Sequence, residues 1–210
     1  MRFSTLFAAA AMTMVAAGTT PAQAPFEGII SFGSAMTGHF RNGKLYLKGA
    51  NARLEAPAQP GALIMTADGR AITVMESKHI YMVFGKRSGK VGSAPKFESL
   101  GKSDVIAGVP CDYYRAHEPG HPHDGEEACI TGALGFVGFI QGGPAGDMDA
   151  TIVREQFPKG FFILQSSNQK GVITTEVAKI ERTALNDDLF APPAGYTEMK
   201  LPGMALPPIR

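Results

Sequence analysis

The sequence predicts a mainly β protein, an open barrel or strongly curved antiparallel sheet with a short apolar helix on its concave side. Three observations predict it. Apolar residues recur with a period of two over much of residues 25–84, the spacing of strands with one buried face. Turn-forming residue pairs break those runs at short intervals. The 210 residues include 25 glycines and 15 prolines, which suits many short strands better than long helices.

Taken in order, Phe26–Ser34, Lys44–Lys48, Ala52–Ala56, Ala62–Thr66, Arg70–Glu76 and His79–Phe84 read as an antiparallel meander. Leu45 and Leu47 flank Tyr46. Ala52 and Leu54 alternate with Asn51, Arg53 and Glu55, and Ile72 and Val74 with Thr73 and Met75. Asn42-Gly43 and Asp68-Gly69 are hairpin signals, and Glu76-Ser77-Lys78 separates two β-rich runs. After a polar stretch from Gly85 to Gly92, strands are expected at Lys96–Ser103, Asp112–His117, Glu126–Ile130, Gly160–Ser166 and Val172–Arg182.

Thr131–Gln141 breaks the pattern. It opens on a capping-type residue, carries no charge and stops at Gly142-Gly143-Pro144, so it is expected to be a helix buried on all sides. Gly132, Gly135 and Gly138 make a small-residue stripe along which a backbone can lie close. Each interior glycine costs about 1 kcal/mol relative to alanine, so packing has to hold the segment in place.

Three regions follow from the ends. Residues 1–24 have the form of a secretory signal: Arg2, an apolar stretch from Leu6 to Ala17, and the small residues Ala22-Gln23-Ala24. That apolar stretch is shorter than the ~20 residues a membrane-spanning helix needs. Residues 25–200 read as a single β-rich domain and 201–210, with three prolines, as a tail. The expected location is periplasmic or secreted, with no transmembrane segment in the mature chain. In such a compartment the two cysteines, Cys111 and Cys129, are most simply a disulfide. They lack C-x-x-C spacing, and two thiolates alone do not complete a zinc site.

Charge excludes one class of partner. Of 20 basic residues only Arg2 lies in the first 24, leaving 19 against 19 acids. A neutral chain without a basic run lacks the phosphate-neutralising surface that nucleic-acid binding requires. Catalytic motifs are missing too. Gly85-Lys86-Arg87-Ser88-Gly89-Lys90 has the wrong spacing for a phosphate loop, and no helix pattern follows it. Ser99 and Lys102 have S-x-x-K spacing without its companion motifs. The expectation is a non-enzymatic protein with no cofactor. One cluster points to metal chemistry: His117, His121 and His123 place three of five histidines within seven residues of a Pro/Gly-rich loop.

Two motifs and one pattern resemble a known family. Ile106-Ala107-Gly108-Val109-Pro110-Cys111 is similar to an I-x-G-x-x-C turn into a strand. Phe190-Ala191-Pro192-Pro193-Ala194-Gly195-Tyr196 is similar to a closing F-x-x-P-x-G-Y, and the paired strands of Ala62–Phe84 match in pattern. These resemble the exported family catalogued as domain of unknown function 4412. Members often carry a tryptophan after the cysteine strand, where this chain has Ala128-Cys129. The resemblance implies a fold like that of periplasmic carriers of outer-membrane lipoproteins, and it implies no catalytic residue.

Together these readings give a functional expectation. A curved sheet with an apolar concave side is expected to hold a hydrophobic ligand, and the resemblance to lipoprotein carriers implies an acyl chain or a lipidated protein or peptide. Phe136, Phe139 and Ile140 would line the site, with Met65, Met75 and Met82 as adaptable partners. The alternative expectation is a periplasmic metal-binding protein using His117, His121 and His123.

Overall fold

The computed structural model describes residues 25–35, 41–56, 61–84, 95–117, 124–135 and 150–200. Twelve strands in these segments form one sheet. They are β1 (Glu27–Ser34), β2 (Arg41–Lys48), β3 (Asn51–Glu55), β4 (Ala62–Met65), β5 (Ala71–Met75), β6 (Ile80–Phe84), β7 (Lys96–Ile106), β8 (Val109–His117), β9 (Glu127–Thr131), β10 (Phe162–Ser167), β11 (Ile173–Arg182) and β12 (Thr197–Glu198). Their order is β12-β6-β5-β4-β3-β2-β1-β11-β10-β9-β8-β7. Two meanders, β1–β6 and β7–β11, are thus joined where β1 pairs with β11. Neighbours are antiparallel except β12, which runs parallel to β6. The sheet is open, not closed into a barrel.

The strand pattern read from the sequence holds, with local corrections. Asn42-Gly43 is not a hairpin turn; both residues lie inside β2, opposite Gly33 and Phe32. The glycine serves packing instead, because a Cβ on Gly43 would lie 2.6 Å from the Phe32 ring. The β2–β3 turn is Gly49-Ala50, with Gly49 at φ +59°. Pro110 belongs to β8, where it sits opposite Val105 beyond the tight Ala107-Gly108 turn. β12 was not anticipated.

The expected helix does not start at Thr131. That residue ends β9, paired with Phe162. Its Oγ1 accepts a hydrogen bond from the Ala133 N–H at 3.1 Å, and Gly132–Gly135 form a turn. Gly135 takes φ +73° so that its carbonyl can accept from the Phe161 N–H at 3.1 Å. The glycine stripe expected along a helix is not formed at Gly132 and Gly135, which lie in this turn, and Gly138 lies outside the described residues; the close backbone approach here is made by Gly160. A Cβ on Gly160 would lie 2.7 Å from the Gly132 oxygen and 2.8 Å from the Gly135 Cα. Residues 136–141 of the expected helix lie outside the described residues. The α-helix that is described, α1 (Ala150–Gln156), falls between the expected strands Glu126–Ile130 and Gly160–Ser166.

Register and packing sort side chains onto two faces. One face carries a single continuous cluster that includes Ile30, Leu45, Leu47, Ala52, Cys111, Cys129, Leu164 and Val177. The other carries two separate clusters, whose buried strand residues lie on β4 and β5 in one and on β9 in the other. One is built on Ile64, Ile72 and Val74. The other is built on Ala128 and Ile130 and is covered by Val153 of α1 with Phe157 and Phe161. A sheet that curves brings distant strands together on its inside and separates them on its outside. The continuous cluster therefore marks the inner face.

The chain after β11 fastens to the outer face. Leu185, Leu189, Phe190 and Tyr196 pack against Ile64, Ile72 and Val74. Lys48 Nζ donates to the Leu185 carbonyl at 2.8 Å and pairs with Asp187 at 2.8 Å. Arg53, only 8% exposed, bonds Glu55 at 2.8 Å and donates to the Leu189 carbonyl at 3.4 Å. The chain then reaches β6, where the Thr197 and Met199 N–H groups donate to His79 and Tyr81.

Candidate functional site

The alternation of β4, β5 and β6 builds the site. The outer residues of β4 and β5, Ala62, Ile64, Ile72 and Val74, are at most 5% exposed under the C-terminal segment, and those of β6, Tyr81 and Val83, are half-buried. The inner residues of the three strands form three cross-strand rows: Met65, Ala71 and Phe84; Leu63, Thr73 and Met82; and Met75 with Ile80. These inner residues are all half-buried except Phe84, which is 38% exposed. Of them, only Met65 packs into the inner cluster. The more closed side of these strands is thus the outer one, and an apolar, half-open surface continues from the core through Leu54 and Met65.

Its dimensions follow from sheet geometry. Three strands at ~4.8 Å spacing and four to five residues at ~3.3 Å give a patch about 10 by 15 Å. Thr73 supplies its one side-chain hydroxyl. Three methionines, each unbranched with a polarisable sulfur, let such a surface mould to a flexible guest. The structure places Met65, Met75 and Met82 on the same face of β4–β6, each in a different one of the three rows. Their expected companions Phe136, Phe139 and Ile140 lie outside the described residues. Leu63, Ile80 and Phe84 belong to the same surface and were not anticipated. Their two-residue spacing from Met65 or Met82 was the available signal.

The cysteines do form a disulfide, joining adjacent strands with Cα atoms 5.4 Å apart. Cys129 faces Tyr113 across the β8–β9 ladder, so the bridge runs diagonally to Cys111. Nearby, Tyr113 donates from Oη to Gln165 at 2.9 Å, and Gln165 Nε2 donates to Glu176 at 3.0 Å. Burial, followed by the charge of Asp104, holds the Tyr113 phenol above its ordinary pKa.

The histidine cluster is only partly described. His117 ends β8 with Nε2 2.8 Å from the Glu98 carboxylate, and both side chains are exposed. His121 and His123 lie outside the described residues. Among the described residues no group of three or more His, Cys, Asp or Glu is placed to hold a metal ion. No helix among them is long and apolar enough to cross a membrane.

Comparison with known proteins gives a family and a fold. The family model described as Domain of unknown function (DUF4412) matches residues 26–196. Among solved structures, an uncharacterized conserved protein from Thermus thermophilus superposes with a TM-score of 0.50 and 10% identity. That likeness covers 84% of this chain and 91% of the other, and it is one of fold. No curated protein matches.

Proposed function

The chain belongs to the DUF4412 family, and we propose that it is a non-enzymatic protein of the cell envelope that holds a hydrophobic ligand on the inner face of β4–β6. The ligand class is an acyl chain, free or carried by a lipidated protein or peptide. The observation that carries this reading is the inverted burial of those strands. The outer residues of β4 and β5 are closed under the C-terminal segment, while the inner side of β4–β6 presents Leu63, Met65, Met75, Ile80, Met82 and Phe84 half-open, with Met65 packed against the core. Each methylene removed from water contributes ~0.8 kcal/mol. Eight methylenes laid across the patch thus gain roughly 6 kcal/mol before association costs are subtracted.

Two further features support the compartment and the ligand. Residues 1–24 have the form of a secretory signal, and a disulfide is durable in an oxidising compartment such as the periplasm or the extracellular space. The family's resemblance in fold to lipoprotein carriers suggests a ligand with acyl chains by analogy. Native mass spectrometry of protein purified from its own envelope tests the proposal. The expected result is co-purifying lipid that is lost from a folded Met82→Asp variant. Protein recovered free of lipid, and indifferent to added fatty acid, contradicts it.

A further inference from the structure

The short strand at the end of the sheet adds a residue to the inner face. β12 runs parallel to β6, with Thr197 beside Ile80 and Glu198 beside Tyr81. Ile80 faces inward with Met75, and Tyr81 packs on the outer cluster, so Thr197 points inward and Glu198 outward. The ladder continues one step past β12, where the Met199 N–H donates to the Tyr81 carbonyl at 2.8 Å. Met199 therefore stands beside Met82 on the inner face, and it is 36% exposed.

The methionines are sorted by face. All four among the described residues, Met65, Met75, Met82 and Met199, lie on the inner side of these strands. The outer side of β4–β6 uses Ala62, Ile64, Ile72, Val74, Tyr81 and Val83, with no sulfur among them. An apolar surface needs area rather than sulfur, and β-branched residues supply area in strands equally well. A thioether adds one capability that hydrocarbon lacks, a soft lone pair for a soft metal ion.

Three of the four are neighbours. Met82 and Met199 stand side by side at the ~4.8 Å spacing of adjacent strands. Met75 faces Ile80, which makes it the diagonal neighbour of Met82, ~7–8 Å away and within reach of a long, unbranched side chain. Met65 is set apart, two strands from Met82 and packed into the inner core. We propose that Met75, Met82 and Met199 bind Cu(I) through their three sulfurs. Cu(I) is the soft ion that neutral thioethers select, whereas a closed zinc site needs four ligands, commonly thiolate or imidazole. The inner side chains around the three, Thr73, Ile80 and Thr197, bring no carboxylate or imidazole for a harder ion. Glu198 points outward, and the His79 ring lies 5.2 Å from that of Tyr196, which packs on the outer cluster. Both thiols of the chain are taken up by the Cys111–Cys129 disulfide. Thioethers form no such bond, so they stay available as ligands in an oxidising compartment. The half-open position leaves the ion's single charge partly solvated, which a sealed apolar core does not allow. The site goes beyond the acyl reading and does not rest on it.

Copper competition tests the site on the full chain with its disulfide intact. The protein is titrated anaerobically, with ascorbate present, into the coloured Cu(I)–bicinchoninate complex. The expected result is transfer of one Cu(I) per chain, with sulfur alone in its first shell by copper X-ray absorption. Changes outside the first shell already cost metal sites about 10–100-fold in affinity, so Met82→Leu and Met199→Leu should each weaken binding by about tenfold or more. Leucine conserves volume and apolar character, so such a loss reports on sulfur. Met65→Leu is expected to bind copper as the wild type does. The proposal is overturned if the chelator keeps its copper, if nitrogen or oxygen fills the first shell, or if Met82→Leu and Met199→Leu bind as tightly as the wild type. Copper that is kept in those variants but lost when His117, His121 and His123 become alanine sits on the histidine loop, and equally overturns it. Co-purifying lipid, the test of the acyl reading, is measured without metal, so either reading can fail while the other stands.

Discussion

Breaking the disulfide should destabilise the protein by about 3 kcal/mol while leaving its fold intact. The bond closes a loop with a sequence separation of 18, and the chain-entropy relation for that length gives about 3 kcal/mol at 25 °C. Cys111 (4% exposed) and Cys129 (0%) are both buried in the inner core. The strands that carry them are already paired by the β8–β9 ladder, so the effect acts chiefly on the unfolded ensemble. Urea unfolding with and without reductant, alongside a Cys111→Ala/Cys129→Ala variant, measures it. At a typical slope of 1–3 kcal/mol/M the midpoint falls by roughly 1–3 M, and the melting temperature by roughly 6–12 °C. The reasoning fails if reduction leaves the midpoint unchanged, or if both thiols of the unreduced native protein react freely with an alkylating agent.

Gly160→Ala should cost roughly 2 kcal/mol more than Gly171→Ala in the same unfolding assay. Both glycines have positive φ, but the new methyl at position 160 meets backbone at 2.7 and 2.8 Å, while at position 171 it meets nothing within 4 Å. Equal costs would contradict the close packing of Gly160 on the 132–135 turn. Tyr46, Tyr113 and Tyr114 should ionise above the ordinary tyrosine value of 10.0, since burial disfavours each phenolate first and neighbouring carboxylates add to it. A raised folded pKa contributes stability that is complete below the unfolded value and lost as pH rises through the folded one. Absorbance at 295 nm should therefore lag behind urea-unfolded protein on the alkaline side, and coincident curves would refute the burial.

Much of the fold is legible in the sequence because strand periodicity is a local signal. Eleven of the twelve strands have counterparts in the alternating runs. The misses each have a physical reason. β12 is a two-residue strand, Thr197–Glu198, held by backbone bonds to β6 that no side-chain pattern announces. Asn42-Gly43 looks like a turn because the sequence does not reveal that Phe32 lies across the glycine. α1 did leave a trace, the four-residue spacing of Val153 and Phe157, which both face Ala128 and Ile130. Arg53 alternates as a solvent-facing residue should, yet the C-terminal segment buries it.

The site was legible in part for the same reason. Residue type singled out Met65, Met75 and Met82, and two-residue spacing could have added Leu63, Ile80 and Phe84. Which face of β4–β6 is closed could not be read locally. Both faces are apolar, and a segment more than a hundred residues away closes one of them.

A photoactivatable fatty acid bound to the full chain, cross-linked and mapped by peptide mass spectrometry, tests the central claim most directly. The account predicts adducts on Leu63, Met65, Met75, Ile80, Met82 and Phe84, the inner side of β4–β6, competed away by unlabelled fatty acid. Adducts that resist competition, or that fall instead on the outer-face cluster of Phe97, Phe157 and Phe161, would contradict it.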